Sequence, residues 1–276
     1  MRTGRTKTRF GVIALAICLG LLGAALAASC AQAAPAQQGG QAQGGQGRGR
    51  GAAIDPAEEA ALKAFNAATD TDAKIQAGED FEQKYPDSRY LEAVRSTLVT
   101  LYYDKMDWPK FYAEAGATIA KDPDNVPVLT LVGWVIPRVY KADDPSEPAK
   151  LDQGEKYEKH ALELIPAMQK PGQISDDQFN LAKASAASEA HSGLGMIYYR
   201  RNDFANSAKE LETSTTETSD VDPSDLYILG LDYQKLNRNT DAEGAFTKCA
   251  SMPGQLQDNC KKSAAALQGS SLSAPQ

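Results

Sequence analysis

Between residues 55 and 267, apolar side chains recur at spacings of three and four, the period of one face of an α-helix. No run of alternating β-branched residues is long enough for a strand. Between the periodic stretches stand Tyr85-Pro86-Asp87-Ser88, Asp122-Pro123-Asp124-Asn125, Asp143-Asp144-Pro145-Ser146, Lys170-Pro171-Gly172 and Asp222-Pro223-Ser224. An Asp or Ser side chain can accept hydrogen bonds from the free N–H groups of a helix's first turn. Pro fits that first turn and stops the helix before it. The pattern predicts an all-α chain.

The pattern also repeats. Leu229-Gly230-x2-Tyr233-x2-Leu236 is followed by Ala242-x3-Phe246. A similar phrase 35 residues earlier, Leu194-Gly195-x2-Tyr198, is followed by Phe204, Ser207 and Leu211. Further upstream, Leu98-Val99-x2-Tyr102 precedes Val132-Gly133-x2-Ile136 by 34 residues, with Trp108, Ala115 and Pro123 between them.

These phrases resemble the tetratricopeptide repeat, a helix–turn–helix unit of about 34 residues. In that family a small residue after an apolar one lets the paired helices approach closely. The Tyr one turn later packs into the neighbouring helix, and a small residue in the second helix, here Ala242, allows the return crossing. This chain departs from the pattern where Val99 replaces Gly, Phe111 replaces Ala and Ile136 replaces Tyr. The resemblance covers roughly residues 56–267. It implies a tetratricopeptide-type α-solenoid of about five helix pairs, closed by a C-terminal capping helix over 255–267.

The spacing breaks once. Gly133 and Gly195 are 62 residues apart, which predicts two lengthened helices, about 147–169 and 175–199, joined at Pro171-Gly172. Pro137 should kink or end its helix, because it removes a backbone donor and crowds the preceding turn.

The first residues have a different character. Arg2, Arg5, Lys7 and Arg9 precede an uncharged apolar run over 10–26 and then small residues. This is the order of a secretory signal peptide, and it predicts export to the periplasm. Two cleavage chemistries stay open. Ala31-Gln32-Ala33 before Ala34 suits ordinary signal peptidase, whereas Ala27-Ala28-Ser29-Cys30 resembles a bacterial lipobox, with Ala27 where Leu is usual. Lipidation of Cys30 would tether the protein to the outer membrane. The stretch 37–51 is almost wholly Gly, Gln and Ala with Arg48 and Arg50, a composition with nothing to bury. The expected organisation is a signal peptide over 1–33, a flexible linker over 34–53, the repeat domain over 54–269 and a disordered tail over 270–276. Tyr85-Pro86-Asp87-Ser88 also resembles the Tyr-Pro-x-Ser turns of envelope repeat proteins in outer-membrane assembly and cell division.

Charge narrows the partners. The formal net charge is −7; the leader contributes +4 and the linker +2, leaving about −13 for residues 54–276. An acidic body repels nucleic acid and anionic lipid, so the expected partner is a protein or peptide, with a membrane only through Cys30. Of four cysteines, Cys249 and Cys260 lie in the repeat region near the Met252-Pro253-Gly254 turn. Two antiparallel helices there could bring them within bridging distance, and export favours a disulfide; two buried thiols or a redox pair are the alternatives.

Catalysis finds little support, so no enzyme activity and no cofactor or metal is expected. His160 and His191 lack a second His or Cys at ligand spacing. His160 reads as solvated and His191 as packed between repeats. Asp70-Thr71-Asp72 lacks the Gly and distal Glu of a calcium loop, and the many acids on helical faces read as solvated charge. What remains is the inner face of the first helices. Repeat register places Tyr103, Trp134, Met196, Tyr199 and Leu231 there, with Arg138, Arg200 and Lys235 in one basic row and Tyr227 as a further aromatic beside it. Such a row beside aromatics could hold an acidic peptide segment or terminal carboxylate, following the logic of carboxylate-clamp tetratricopeptide domains. The asparagines of those clamps are absent. The competing reading makes the basic residues partners of helix ends and the aromatics inter-repeat core.

Overall fold

The computed structural model describes residues 55–172 and 174–272, with side chains described through residue 268. The expected signal peptide, Cys30, the linker and residues 273–276 lie outside the described residues. The described residues form two compact units, 55–88 and 89–272.

The first unit is one helix pair, α1 (Pro56–Ala67) and α2 (Thr71–Lys84). Each start is capped as the sequence suggests: Asp55 accepts from the Ala57 N–H at 2.9 Å and Asp70 from the Ala73 N–H at 2.9 Å. Asp70 is thus a helix cap. Ser88 donates to the Glu58 carboxylate at 2.6 Å, and the Phe81 and Tyr85 rings pack 5.1 Å apart.

The second unit holds four pairs and a last helix. These are α3 (Leu91–Asp104) with α4 (Trp108–Lys121), α5 (Val126–Arg138) with α6 (Glu147–Leu164), α7 (Asp176–Arg200) with α8 (Phe204–Glu217), and α9 (Pro223–Lys235) with α10 (Asn239–Ala250). The last is α11 (Gln257–Leu272), which runs past the expected boundary at 269. Each second helix packs on its own first helix, while α3, α5, α7 and α9 pack side by side as an inner row. The architecture is all-α and built of helix pairs of the tetratricopeptide type, five pairs in all with α1 and α2. No described helix is long and apolar enough to cross a membrane.

Three of the tight turns share one backbone solution. Met106, Asn202 and Asn237 lie in the left-handed region at φ 56°, 60° and 59°. The next N–H then reaches back five residues: Asp107 to the Tyr102 carbonyl at 3.0 Å, Asp203 to Tyr198 at 2.9 Å and Arg238 to Tyr233 at 2.8 Å. These carbonyls belong to the repeat's Tyr, so each Tyr also marks where its helix is closed off.

The motif glycines make close approach possible. A Cβ on Gly195 would overlap the Leu211 side chain, and one on Gly230 would overlap the Phe246 ring. Both partners stand 16 residues after their glycine. In the α3–α4 pair the bulk is exchanged, with Val99 in the glycine place and Ala115 sixteen residues later, both buried. Around Phe246, the residues Leu211, Leu229, Tyr233, Ala242 and Ala264 form one apolar cluster.

The middle of the unit is enlarged as the spacing predicts: α6 has 18 residues and α7 has 25, against 13 for α5. α6 stops at Leu164, short of 169, and tightens into a 3₁₀ turn over Ile165–Ala167 around Pro166. α7 starts one residue after Ser175, whose hydroxyl accepts from the Gln178 N–H while the Gln178 side chain accepts from the Ser175 N–H. Pro137 sits one residue before the end of α5, which stops at Arg138, so the proline ends its helix and does not kink it midway.

Cys249 on α10 and Cys260 on α11 form a disulfide with Cα atoms 5.8 Å apart, packed against Leu226, Met252 and Leu256. The bridge pins α11 and the 251–256 turn to the last pair.

Candidate functional site

α7 presents Ser188, Glu189 and Ser192, and Ser185 from its N-terminal extension, to a cavity of about 570 Å³. The opposite walls are Leu131 and Trp134 on α5, the 218–222 stretch before α9, Asp225 in its first turn, and the 252–257 segment held by the disulfide. This volume falls within the range of small-ligand and peptide pockets.

One cation stands at its edge. Arg138 ends α5, and its guanidinium lies 3.7 Å from the centre of the Trp134 ring while donating to the Trp134 carbonyl at 3.0 Å. It reaches Asp225 at 3.1 Å, Asp222 at 3.4 Å and the Ser192 hydroxyl at 2.7 Å. Asp225 is 1% exposed and also accepts from Ser192 and Ser214 hydroxyls, each at 2.8 Å. Burial raises the Asp225 carboxyl to about 6; Arg138 pulls it down and Asp222 pushes it up. Asp222 meanwhile caps α9, accepting from the Ser224 N–H at 2.8 Å.

Two further acids have less support. Glu189 makes no hydrogen bond among the described residues, and burial raises it to about 7 against the pull of Arg138. Glu158 on α6 is 0% exposed, and neither carboxylate oxygen has a hydrogen-bond partner among the described residues. It fills the notch between Gly133 and Gly193, where a Cβ on either glycine would overlap it. Burial, then the neighbouring Glu189, holds its carboxyl well above the usual range. The expectation that acids on helical faces are solvated fails at Glu158: it lies between α5, α6 and α7, inside the stack.

The residues of the expected inner row fall into groups. Tyr103, Trp134 and Arg138 meet: the Tyr103 ring is 6.0 Å from Trp134, edge to face, and also packs on Trp108 and Phe111. Tyr199 stacks edge-on to Phe204 at 6.1 Å, and the Lys235 ammonium lies 5.9 Å from that same Phe204 ring. Arg200 donates to the Pro137 carbonyl at 2.8 Å and lies over Tyr140. Met196 is buried, Leu231 is partly buried in the C-terminal core, and Tyr227 packs on Phe246 at 5.7 Å. Trp134 alone among them lines the cavity. The basic row is therefore engaged by groups of the protein itself, Arg138 most fully. The imidazoles are paired as well: His160 contacts Asp124 at 2.7 Å and His191 contacts Glu210 at 2.6 Å.

Sequence reasoning did not single out Glu158, Glu189, Ser192, Asp222 or Asp225. One signal was present. Ser185, Ser188 and Ser192 stand three and four apart with Glu189, so a polar stripe leads into Leu194-Gly195 where a core-facing helix would carry apolar residues.

No family model matches the chain, and no curated protein matches it. Among solved structures it is similar to a thermophilic tetratricopeptide-repeat protein of Thermus thermophilus, at 15% identity and a TM-score of 0.49, over 76% of this chain and 99% of that one. It is also similar to a tetratricopeptide-repeat protein of Parabacteroides merdae, at 10% identity and a TM-score of 0.35, over 78% of this chain and 100% of that one.

Proposed function

We propose that this protein is an exported, non-catalytic scaffold that holds a protein or peptide partner on the inner row α3, α5, α7 and α9. The observation that carries the reading is the cavity of about 570 Å³ between α5, α7 and α9, with Trp134 and Leu131 on one wall and polar side chains on the other. An apolar wall beside fixed polar groups is the usual make-up of a recognition site. Export rests on the basic, apolar, small-residue order of residues 1–33, and the Cys249–Cys260 bridge suits an oxidising compartment.

The test is retention of a randomised peptide pool by the immobilised protein. Wild type should retain a defined subset, and Ser185→Trp, which fills the cavity from its partly exposed rim, should lose it. Equal retention by the filled variant would remove the cavity from the account. A second reading, a lipid-tethered component of envelope assembly, rests on Ala27-Ala28-Ser29-Cys30. Mass analysis of the mature N-terminus separates the two: a diacylglycerol-modified Cys30 supports the tether, and an unmodified Ala34 supports the soluble scaffold.

A further inference from the structure

We propose that the cavity between α5, α7 and α9 receives a basic side chain, a lysine or arginine presented by a bound polypeptide segment. This deepens the scaffold reading and rests on it.

Charge is the first argument. Glu189, Asp220, Asp222 and Asp225 line the cavity, and no Lys or Arg does. Arg138 at its edge is already held by Asp222, Asp225, Ser192 and the Trp134 ring, so it has little left to offer an anion. The acids that line the cavity thus outnumber the single cation at its edge. A carboxylate is costly to bury unpaired, and a cation arriving from outside supplies the missing partner.

Shape is the second argument. Leu131, Trp134, Val221, Met252 and Leu256 give the cavity apolar walls around those acids. A long aliphatic stem with a charged tip matches that arrangement, burying its methylenes and placing its cation among the carboxylates. An acidic or phosphorylated segment would meet like charge. The occupant is a polypeptide rather than a free amine because Ser185, Ser224 and Gln255 lie among the lining residues, uncharged groups of the kind that pair with peptide amides.

The experiment uses the purified full chain and three fluorescent heptapeptide pools, randomised except for a central Arg, Glu or norleucine. The Arg pool should bind at least about tenfold tighter than the other two, and increasing ionic strength should weaken it. Glu189→Gln combined with Asp220→Asn should lower Arg-pool binding by about tenfold with an unchanged helical circular dichroism spectrum. Glu189 gives up no hydrogen bond in that change, so folding is not at stake. Preferential binding of the Glu or norleucine pool would overturn this proposal while leaving the peptide scaffold standing. Binding of no pool would overturn both. Displacement of the Arg pool by free argininamide at equal concentration would overturn the polypeptide occupant in favour of a free amine. A gain in Arg-pool binding on Arg48→Gln with Arg50→Gln would assign the cavity to the chain's own linker and overturn the external partner.

Discussion

The last two helix pairs and the enlarged central one use the same device to opposite ends. In α7–α8 and α9–α10, a glycine opens a notch and an apolar side chain fills it, Leu211 at Gly195 and Phe246 at Gly230. In the central pair, α5–α6, the notch at Gly133 meets a second one at Gly193 on the neighbouring α7, and a carboxylate, Glu158, occupies both. Apolar filling removes hydrocarbon from water and stabilises the pair. Carboxylate filling opposes folding whenever the group is ionised. The glycine notches of the last two pairs are filled by hydrocarbon, although Asp232 on α9 leaves one buried oxygen without a partner among the described residues, and the notches at the centre are filled by a carboxylate with neither oxygen partnered.

Substitutions should separate the two regions by sign. Phe246→Ala should destabilise the protein most, by about 3–5 kcal/mol, since it deletes a fully buried ring from the C-terminal cluster. Urea unfolding monitored by circular dichroism measures this. Removing the bridge with Cys249→Ser and Cys260→Ser should cost about 3 kcal/mol in the chain-entropy model, read from the same curves. In the central region the direction reverses. Glu158→Met, of similar volume, should stabilise by about 1–3 kcal/mol near pH 8. Destabilisation there would show that the carboxylate has a partner after all.

The pH dependence should draw on both regions, through Glu189 on α7 and Asp225 and Asp232 on α9. Glu189 titrates at about 7 against an ordinary 4.5, Asp225 at about 6 against 3.8, and Asp232, raised by burial against the Ser207 hydrogen bond, at about 7 against 3.8. Each holds its proton more tightly folded than unfolded. Their contribution is therefore complete below about pH 4 and is lost as pH rises through 6 to 7. Glu155 acts oppositely: burial pushes it up, but hydrogen bonds from Lys159, Arg201 and Tyr198 overcome that and hold it at about 2. Its contribution is present above 4.5 and is lost as pH falls towards 2. Thermal midpoints should thus peak near pH 5 and decline towards pH 8, with a shallower decline in Glu158→Met. A midpoint that rises from pH 5 to 8 would contradict the assignment of raised acids.

The smallest effect concerns the turns. Asn202 and Asn237 occupy the left-handed position in the last two pairs, whereas Met106 occupies it between α3 and α4 and is exposed. A left-handed backbone is unfavourable for a long side chain and tolerated by Asn, so Met106→Asn should stabilise by about 0.5–1 kcal/mol. Differential scanning calorimetry resolves that change.

The pairs were legible because the repeat writes each one twice, in the glycine and in the residue that fills it. Gly195 with Leu211 and Gly230 with Phe246 keep the same interval, and the break in spacing after Gly133 located the long helices. The cavity was not legible in that way. Asp222 and Asp225 read as ordinary acids at a helix start, and Asp222 is one. Asp225 becomes something else only because Arg138, 87 residues away, reaches it across α7. The basic row was read from register alone, and register places Arg138 without showing which acids already hold it. Glu158 sits among Lys156, Tyr157 and Lys159, a local text that signals solvent; only the meeting of two glycine notches from different helices turns it inward.

If the unbalanced carboxylates are kept for a ligand at the expense of stability, a single substitution should change both quantities. Glu189→Gln is that substitution, because one purified protein yields a thermal midpoint and a binding curve. Its midpoint near pH 8 should rise while its binding of the arginine-centred peptide pool weakens. A raised midpoint with unchanged binding would leave Glu189 as a defect of α7 and not part of a site.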